Sequence, residues 1–233
     1  MSHDRLSSAR QALADSDLFK VLTPAQSERL LARGIAATYP ARRLIFQKND
    51  AGDSLLVVLS GRIKISNFAM DGRERVLNFM SAGDILGEIA VLDGGARTAN
   101  ATALEATDVL VLRRRDLLPL LREQPDIAIR LIEVLCAKLR VTTELMEDNQ
   151  FLSMEMRLAK ALIRLAGQRQ NQALREFALK ITQRELGGYA GLARENVNRQ
   201  LGIWRELGFI RVEPGQIVLL DKAALQAIAE EAP

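Results

Sequence analysis

Residues 83–101 read GDILGEIAVLDGGARTANA, and this stretch governs the reading of the whole chain. Gly87 lacks a Cβ, so backbone N–H groups at the start of a short helix can approach phosphate oxygens there. Glu88, next to it, can accept a hydrogen bond from a ribose hydroxyl. Arg97 is the single cation between Arg75 and Arg113. A planar, permanently charged guanidinium suits an anionic phosphate, each charge-assisted bond being worth about 1.5–3 kcal/mol. Thr98 adds a hydroxyl beside it. Taken singly, Gly87 reads as a turn glycine, and Glu88 with Arg97 as a surface ion pair worth about 1 kcal/mol or less. The ordered combination favours a pocket for a small phosphorylated ligand.

Outward from this stretch, residues 35–111 alternate short apolar runs with turn signals. Strands are expected at Leu44-Ile45-Phe46, Leu55 to Leu59, Ile63-Lys64-Ile65, Val76 to Met80, Ala99 to Ala103 and Val109 to Leu112. Glycines at 52, 61, 72 and 83 recur every 9 to 11 residues, the rhythm of short strands reversing around a small sandwich or barrel. Before this block, from Leu6 to Arg33, the pattern is helical, with Thr23-Pro24 as N-cap and first-turn proline and Gly34 as the stop.

Past Asp116 the helical period returns, first over Leu117 to Leu121, then from Pro125 to about Asn149. Ala128, Ile132, Leu135, Leu139, Thr142, Met146 and Asn149 follow a 4-3 rhythm, which keeps one stripe facing a partner helix in a coiled coil. A core helix lying on its own β domain is the alternative, and the polar Thr142 and Asn149 weigh toward a dimer seam. Ser153 can cap a helix running to about Ala166, followed by a polar stretch from Gly167 to Gln172.

Residues 181–206, ITQRELGGYAGLARENVNRQLGIWRE, read as a helix-turn-helix. Thr182 and Glu185 form a capping box, and Gly191 stands where the turn needs positive φ. A second helix from about Ala193 to Leu207 buries Val197, Leu201 and Trp204. Its opposite N-terminal face carries Arg194, Glu195, Asn198 and Arg199, side chains able to reach base edges. Phe209 to Val212 and Gln216 to Leu220 flank Glu213-Pro214-Gly215, the turn of a β-hairpin wing. An amphipathic hairpin with surface ion pairs is the plainer reading.

Composition narrows the chemistry. With 48% hydrophobic and 26% charged residues, the 233-residue chain is expected to fold, most simply as two domains. One cysteine, Cys136, and one histidine, His3, cannot build a zinc finger, an iron–sulfur cluster or a Ser/His/Asp triad. No metal and no enzymatic activity are expected. The net charge of +3 falls on residues 151–233, a mild sign of an anionic partner there. No apolar run nears the roughly 18 residues of a membrane span, and residues 1–10 lack a signal-peptide core. A cytoplasmic location without membrane attachment is the expectation.

The Gly87-Glu88-Ile89-Ala90 run with Arg97-Thr98-Ala99 resembles the phosphate-binding cassette of cyclic-nucleotide-binding domains. From about Phe19 to Asp221 the chain resembles the cyclic AMP receptor protein and fumarate/nitrate reduction regulator superfamily of bacterial transcription factors. The resemblance implies that Gly87, Glu88 and Ala90 form the backbone-and-ribose side of the pocket, and Arg97 with Thr98 the phosphate side. Ile89 becomes a structural neighbour and Leu77 a wall for the base. Thr142 and Thr143 match the hydroxyl pair that meets the purine in the cyclic AMP branch, one from each subunit. A hydroxyl can accept from the adenine amino group or donate to the guanine carbonyl, so Thr142 and Thr143 do not choose the base; the resemblance makes cyclic AMP the expected main ligand, with cyclic GMP second because Thr98 resembles the cyclic-GMP-responsive domains. Arg194, Glu195 and Arg199, in an Arg-Glu-x-x-x-Arg pattern, are implied to read base edges, and Thr182 and Arg184 to touch phosphates.

The expected architecture is α+β. It comprises an N-terminal antiparallel β-roll sensor (double-stranded β-helix) over residues 1–124, a coiled-coil dimerisation helix over 125–150 and a winged helix-turn-helix over 151–233. The expected function is a cyclic-nucleotide-gated homodimer binding palindromic double-stranded operator DNA, with RNA polymerase as a further partner. The alternatives are a nucleotide-binding regulatory protein that docks on a protein, and, lowest, a metal-dependent enzyme of the double-stranded β-helix type.

Overall fold

The structure, a computed structural model, describes residues 11, 14, 16, 19, 20, 22–167 and 177–230. Residues 1–10, His3 among them, and all of the polar stretch after Gly167 lie outside the described residues. The chain forms two compact units. One gathers the described residues up to Phe68 with Leu77–Arg140, and the other gathers Ala69–Val76 with the described residues from Val141 onward.

The first unit begins with α1 (Pro24–Arg33), where Thr23 and Gln26 form a capping box and Gly34 ends the helix. Strands β1 (Ile35–Tyr39), β2 (Leu44–Phe46), β3 (Ser54–Ser60), β4 (Ile63–Phe68), β5 (Glu74–Met80) and β6 (Ile85–Leu86) follow. After the short helix α2 (Glu88–Asp93) come β7 (Asn100–Ala103) and β8 (Thr107–Arg113), then α3 (Arg114–Glu123). The strands form two four-stranded sheets ordered β1-β8-β3-β6 and β2-β7-β4-β5. The register-defined pairs are antiparallel, for example Leu56 opposite Val111 and Lys64 opposite Thr102.

The apolar run Leu55 to Leu59 reflects burial on both faces of β3. Leu55, Val57 and Leu59 pack with Leu30, Leu31, Leu117, Leu120, Ile127 and Leu131 on the helical side. Leu56 and Val58 point the other way, to Ile63, Met80, Ala101 and Val109 between the sheets. Side chains alternate across a strand, so a continuous apolar run marks one covered on both sides.

The helix α4 (Pro125–Phe151) has 27 residues. Ile127 and Leu131 are buried, while Ile129, Ile132, Leu139, Val141, Met146 and Phe151 are exposed. Leu135, partly buried, packs against the β-domain core, as the alternative of a core helix would have it, and the neighbouring Cys136 is exposed.

In the second unit, α5 (Met154–Gly167) starts behind Ser153, whose Oγ accepts the Met156 N–H at 3.3 Å. Asp148 of α4 receives Lys160 Nζ at 2.8 Å and Arg164 Nη1 at 2.7 Å, joining α4 to α5. Then come β9 (Phe177–Leu179), α6 (Gln183–Ala190), α7 (Arg194–Glu206), β10 (Ile210–Glu213), β11 (Gln216–Leu219) and α8 (Lys222–Glu230). The sheet order is β10-β11-β9, so the wing hairpin gains a third strand beyond the sequence reading. Together the elements are an antiparallel β-roll, a long helix and a winged helix-turn-helix.

Candidate functional site

Gly87 caps α2 with φ +83°, a left-handed conformation that favours glycine. A Cβ there would stand 2.2 Å from Arg97 Nη1 and 2.9 Å from the Ser54 carbonyl oxygen. Gly87→Ala is therefore expected to cost about 1–3 kcal/mol through backbone strain and displacement of Arg97, read as a lower melting temperature in calorimetry. Gly52 has a related reason to lack a side chain. Its Cβ would fall 2.1 Å from that of Ala90, so the glycine at 52 permits close packing against α2.

Arg97 is 5% exposed, an uncommon state for a guanidinium. Its Nη1 donates to the Gly87 carbonyl at 3.1 Å and its Nη2 to Ser54 Oγ at 3.0 Å. The guanidinium carbon lies 4.3 Å from the centre of the Phe46 ring, and the buried Nε has no hydrogen-bond partner. Burial lowers the Arg97 pKa below its ordinary value, opposed by the carboxylates of Asp53, Glu88 and Asp50. No carboxylate forms an ion pair with it among the described residues. Its backbone is fixed as well, with the Arg97 N–H on Asp50 O at 2.9 Å and Asn49 N–H on Arg97 O at 2.8 Å.

Glu88, 5% exposed, is paired with a lysine absent from the sequence reading: Lys138 Nζ lies 2.8 Å from its Oε1 and donates to the Ile85 carbonyl at 3.1 Å. The available signal was positional, since Lys138 precedes Thr142 by four residues on α4 and shares its face. Phe46 was legible as a strand residue but carried no motif, and Ser54 lies one residue before the strand expected from Leu55.

The structure thus brings Gly87, Glu88 and Arg97 together, with Ala90 buried beneath them. Thr98 is exposed beside Arg97, and its carbonyl accepts the Asn67 amide at 3.2 Å. Ile89, on α2, and Leu77, on β5, are 44% and 41% exposed. Thr142 and Thr143 are exposed on the part of α4 that belongs to the second unit.

In the second unit, Thr182 Oγ1 accepts the Glu185 N–H at 3.2 Å while Glu185 Oε2 accepts the Thr182 N–H at 2.9 Å, which closes the capping box of α6. Gly191 takes φ +68° in the turn. Val197, Leu201 and Trp204 are buried, and Glu155 Oε1 accepts both Gln200 Nε2 at 2.9 Å and Trp204 Nε1 at 3.3 Å, anchoring α7 to α5. The other face of α7 presents Arg194, Glu195, Asn198 and Arg199 to solvent, with Thr182 and Arg184 exposed at the start of α6. A helix offering arginines and a carboxylate near its N-terminus is suited to the major groove.

Residues 36–124 match the cyclic nucleotide-binding domain family, and residues 156–228 match the Crp-like helix-turn-helix domain. The chain is 34% identical over 214 residues to the cyclic AMP receptor protein of Thermus thermophilus, covering 92% of this chain and 97% of the relative. It is 31% identical over 218 residues to a CRP-like cAMP-activated global transcriptional regulator of Mycobacterium tuberculosis, with the same two coverages of 92% and 97%. Among solved structures, the Thermus thermophilus catabolite activator protein matches with a TM-score of 0.55 and 34% identity, over 92% of this chain and 98% of that one. A sensor fold with a buried arginine at its glycine-capped helix, followed by a winged helix-turn-helix, agrees with these matches along nearly the whole sequence: the chain belongs to the CRP/FNR family of transcription regulators.

Proposed function

We propose that this regulator is a homodimer gated by a cyclic nucleotide, with cyclic AMP as its main ligand and cyclic GMP as its second. The observation that carries this reading is Arg97: a guanidinium 5% exposed, bonded only to neutral oxygens among the described residues and lacking a partner at Nε. Such a group binds a phosphate diester strongly, because its desolvation is already met in the folded state.

In this reading the phosphate lies on Arg97 and Thr98, the ribose hydroxyl on Glu88, and Gly87 and Ala90 leave room for backbone approach. Ile89 supports the cassette, Leu77 flanks the base, and Thr142 and Thr143 meet the purine edge, one hydroxyl from each protomer. Lys138 holds the Glu88 carboxylate in place for the ribose. The sensor is assigned to residues 1–124, the dimerisation helix to 125–150 and the DNA reader to 151–233.

The exposed stripe of Ile132, Leu139 and Met146 on α4 supports the dimer, since large apolar residues at heptad spacing bury themselves against a second copy. A two-fold dimer sets its recognition helices about 34 Å apart on successive major grooves, and hence calls for a palindromic operator. Ligand shifts the population toward that arrangement only by its differential affinity for the two states. RNA polymerase is the partner through which a bound regulator acts.

Titration calorimetry with cyclic AMP and cyclic GMP tests the ligand assignment: saturable binding with cyclic AMP the tighter is expected, and failure of both sinks the pocket. For the reader, Arg199→Ala is expected to cost about 1–3 kcal/mol in operator binding with nucleotide affinity retained, measured by gel shift at fixed salt.

A further inference from the structure

A second group of cationic side chains lies on the first unit, distinct from the residues assigned to the nucleotide but next to them. Arg113, Arg114, Arg115 and Arg122 line a cleft of about 450 Å³ with Leu118, Pro119 and a single carboxylate, Asp53. The volume is that of a small-molecule site, where values of roughly 300–1,000 Å³ are typical.

The four arginines are not equivalent. Arg114 is structural: its backbone N–H donates to Asp53 O at 2.7 Å, and its Nη1 donates to the carbonyls of Val91 and Leu92 at the end of α2. Arg115 is exposed and touches Asp116 only at 3.7 Å. The exposed side chains of Arg113 and Arg122 have no hydrogen bond or ion pair among the described residues. Three guanidiniums are thus gathered around one concavity, with only the long Arg115–Asp116 pair and the Asp53 carboxylate against them, in a chain whose total charge is only +3. Like charges held together repel, and an anion spanning them relieves that repulsion.

We propose that this cleft binds a small polyphosphorylated anion. A single phosphate would engage one guanidinium fork, whereas Arg113, Arg115 and Arg122 offer separate forks to successive phosphates. Leu118 and Pro119 supply an apolar wall for an organic moiety attached to them. Asp53 lines the cleft, and its neighbour Ser54 accepts from Arg97, so the occupied cleft adjoins the strand that supports the cyclic-nucleotide phosphate site.

The test is titration calorimetry of the full chain with inorganic tripolyphosphate. Saturable binding that weakens with added salt is expected. The Arg113→Ala/Arg122→Ala variant should lose at least about tenfold in affinity, as two charge-assisted bonds disappear. Both side chains are exposed, so its melting temperature should match the wild type. Arg97→Ala should leave tripolyphosphate binding unchanged, which separates this site from the proposed nucleotide pocket, and Arg194→Ala/Arg199→Ala should do the same for the proposed DNA face. Absence of saturable binding, unchanged affinity in the Arg113/Arg122 variant, or loss in the Arg194/Arg199 variant overturns the proposal. Equal competition per charge by poly-glutamate also overturns it, assigning the cleft to protein carboxylates.

Discussion

Arg97→Ala is expected to weaken cyclic-nucleotide binding by at least about a hundredfold, since two charge-assisted bonds to a phosphate at about 1.5–3 kcal/mol each exceed the 2.7 kcal/mol or so that this factor represents. The effect on the unliganded fold should be small by comparison. In that state the guanidinium is bonded to the Gly87 carbonyl and Ser54 Oγ, both neutral, and its burial works against its charge. Alanine removes two hydrogen bonds and also a desolvated cation, so the two changes offset each other. Arg97→Lys should recover only part of the affinity, because a single ammonium cannot keep the Gly87 and Ser54 contacts while presenting a fork to the phosphate. Calorimetric titration with cyclic AMP checks both variants, with circular dichroism melting as the control for folding. Wild-type affinity in Arg97→Ala would refute the pocket assignment, and with it the ligand-gated mechanism.

The legibility of this fold in its sequence was uneven, and the reasons are physical. Strands β3 and β8 announce themselves because both faces are covered, so every residue from Leu55 to Leu59 is apolar. Strand β1 does not: Ile35 is half exposed, and Ala36 and Ala37 carry little β preference, so its place is fixed by pairing with β8 rather than by its own side chains. The pair Ile85-Leu86 is too short for any period to appear, and β9 is three residues set against β11 by tertiary pairing. Helix α8, capped by Asp221 Oδ1 on the Ala224 N–H at 2.9 Å, lies just past the end of the resemblance.

The candidate site follows the same logic. Gly87, Glu88 and Arg97 were readable because backbone strain and charge restrict which residues can stand there. Lys138, Ser54 and Phe46 were not, since each acts through a contact made only when separate elements meet. Leu135 shows that one side chain can serve two readings: its spacing fits the seam, and it also packs against the β-domain core.

In the second unit the largest expected loss is from Trp204→Ala, about 3–5 kcal/mol for truncating a fully buried aromatic side chain. The indole fills the space under α7, and its N–H shares Glu155 Oε1 with the Gln200 amide. Truncation leaves a cavity and half of that hydrogen-bond arrangement. At about 4–8 °C per kcal/mol for a domain of this size, the calorimetric transition of the second unit should fall by at least about 12 °C. Trp204 is the single tryptophan of the chain, so wild-type fluorescence follows the unfolding of this unit selectively. Glu155→Gln, which keeps an oxygen acceptor, should cost much less than Glu155→Ala, which strands two donors. Operator binding should fail in Trp204→Ala at temperatures where the second unit has melted, while at temperatures where that unit is still folded cyclic-nucleotide affinity stays within about twofold of wild type because the Arg97 cluster shares no partner with Trp204. A parallel loss of nucleotide affinity in the still-folded variant would show that the indole supports the sensor as well, and the assignment of sensing and reading to separate parts of the chain would then have to be withdrawn.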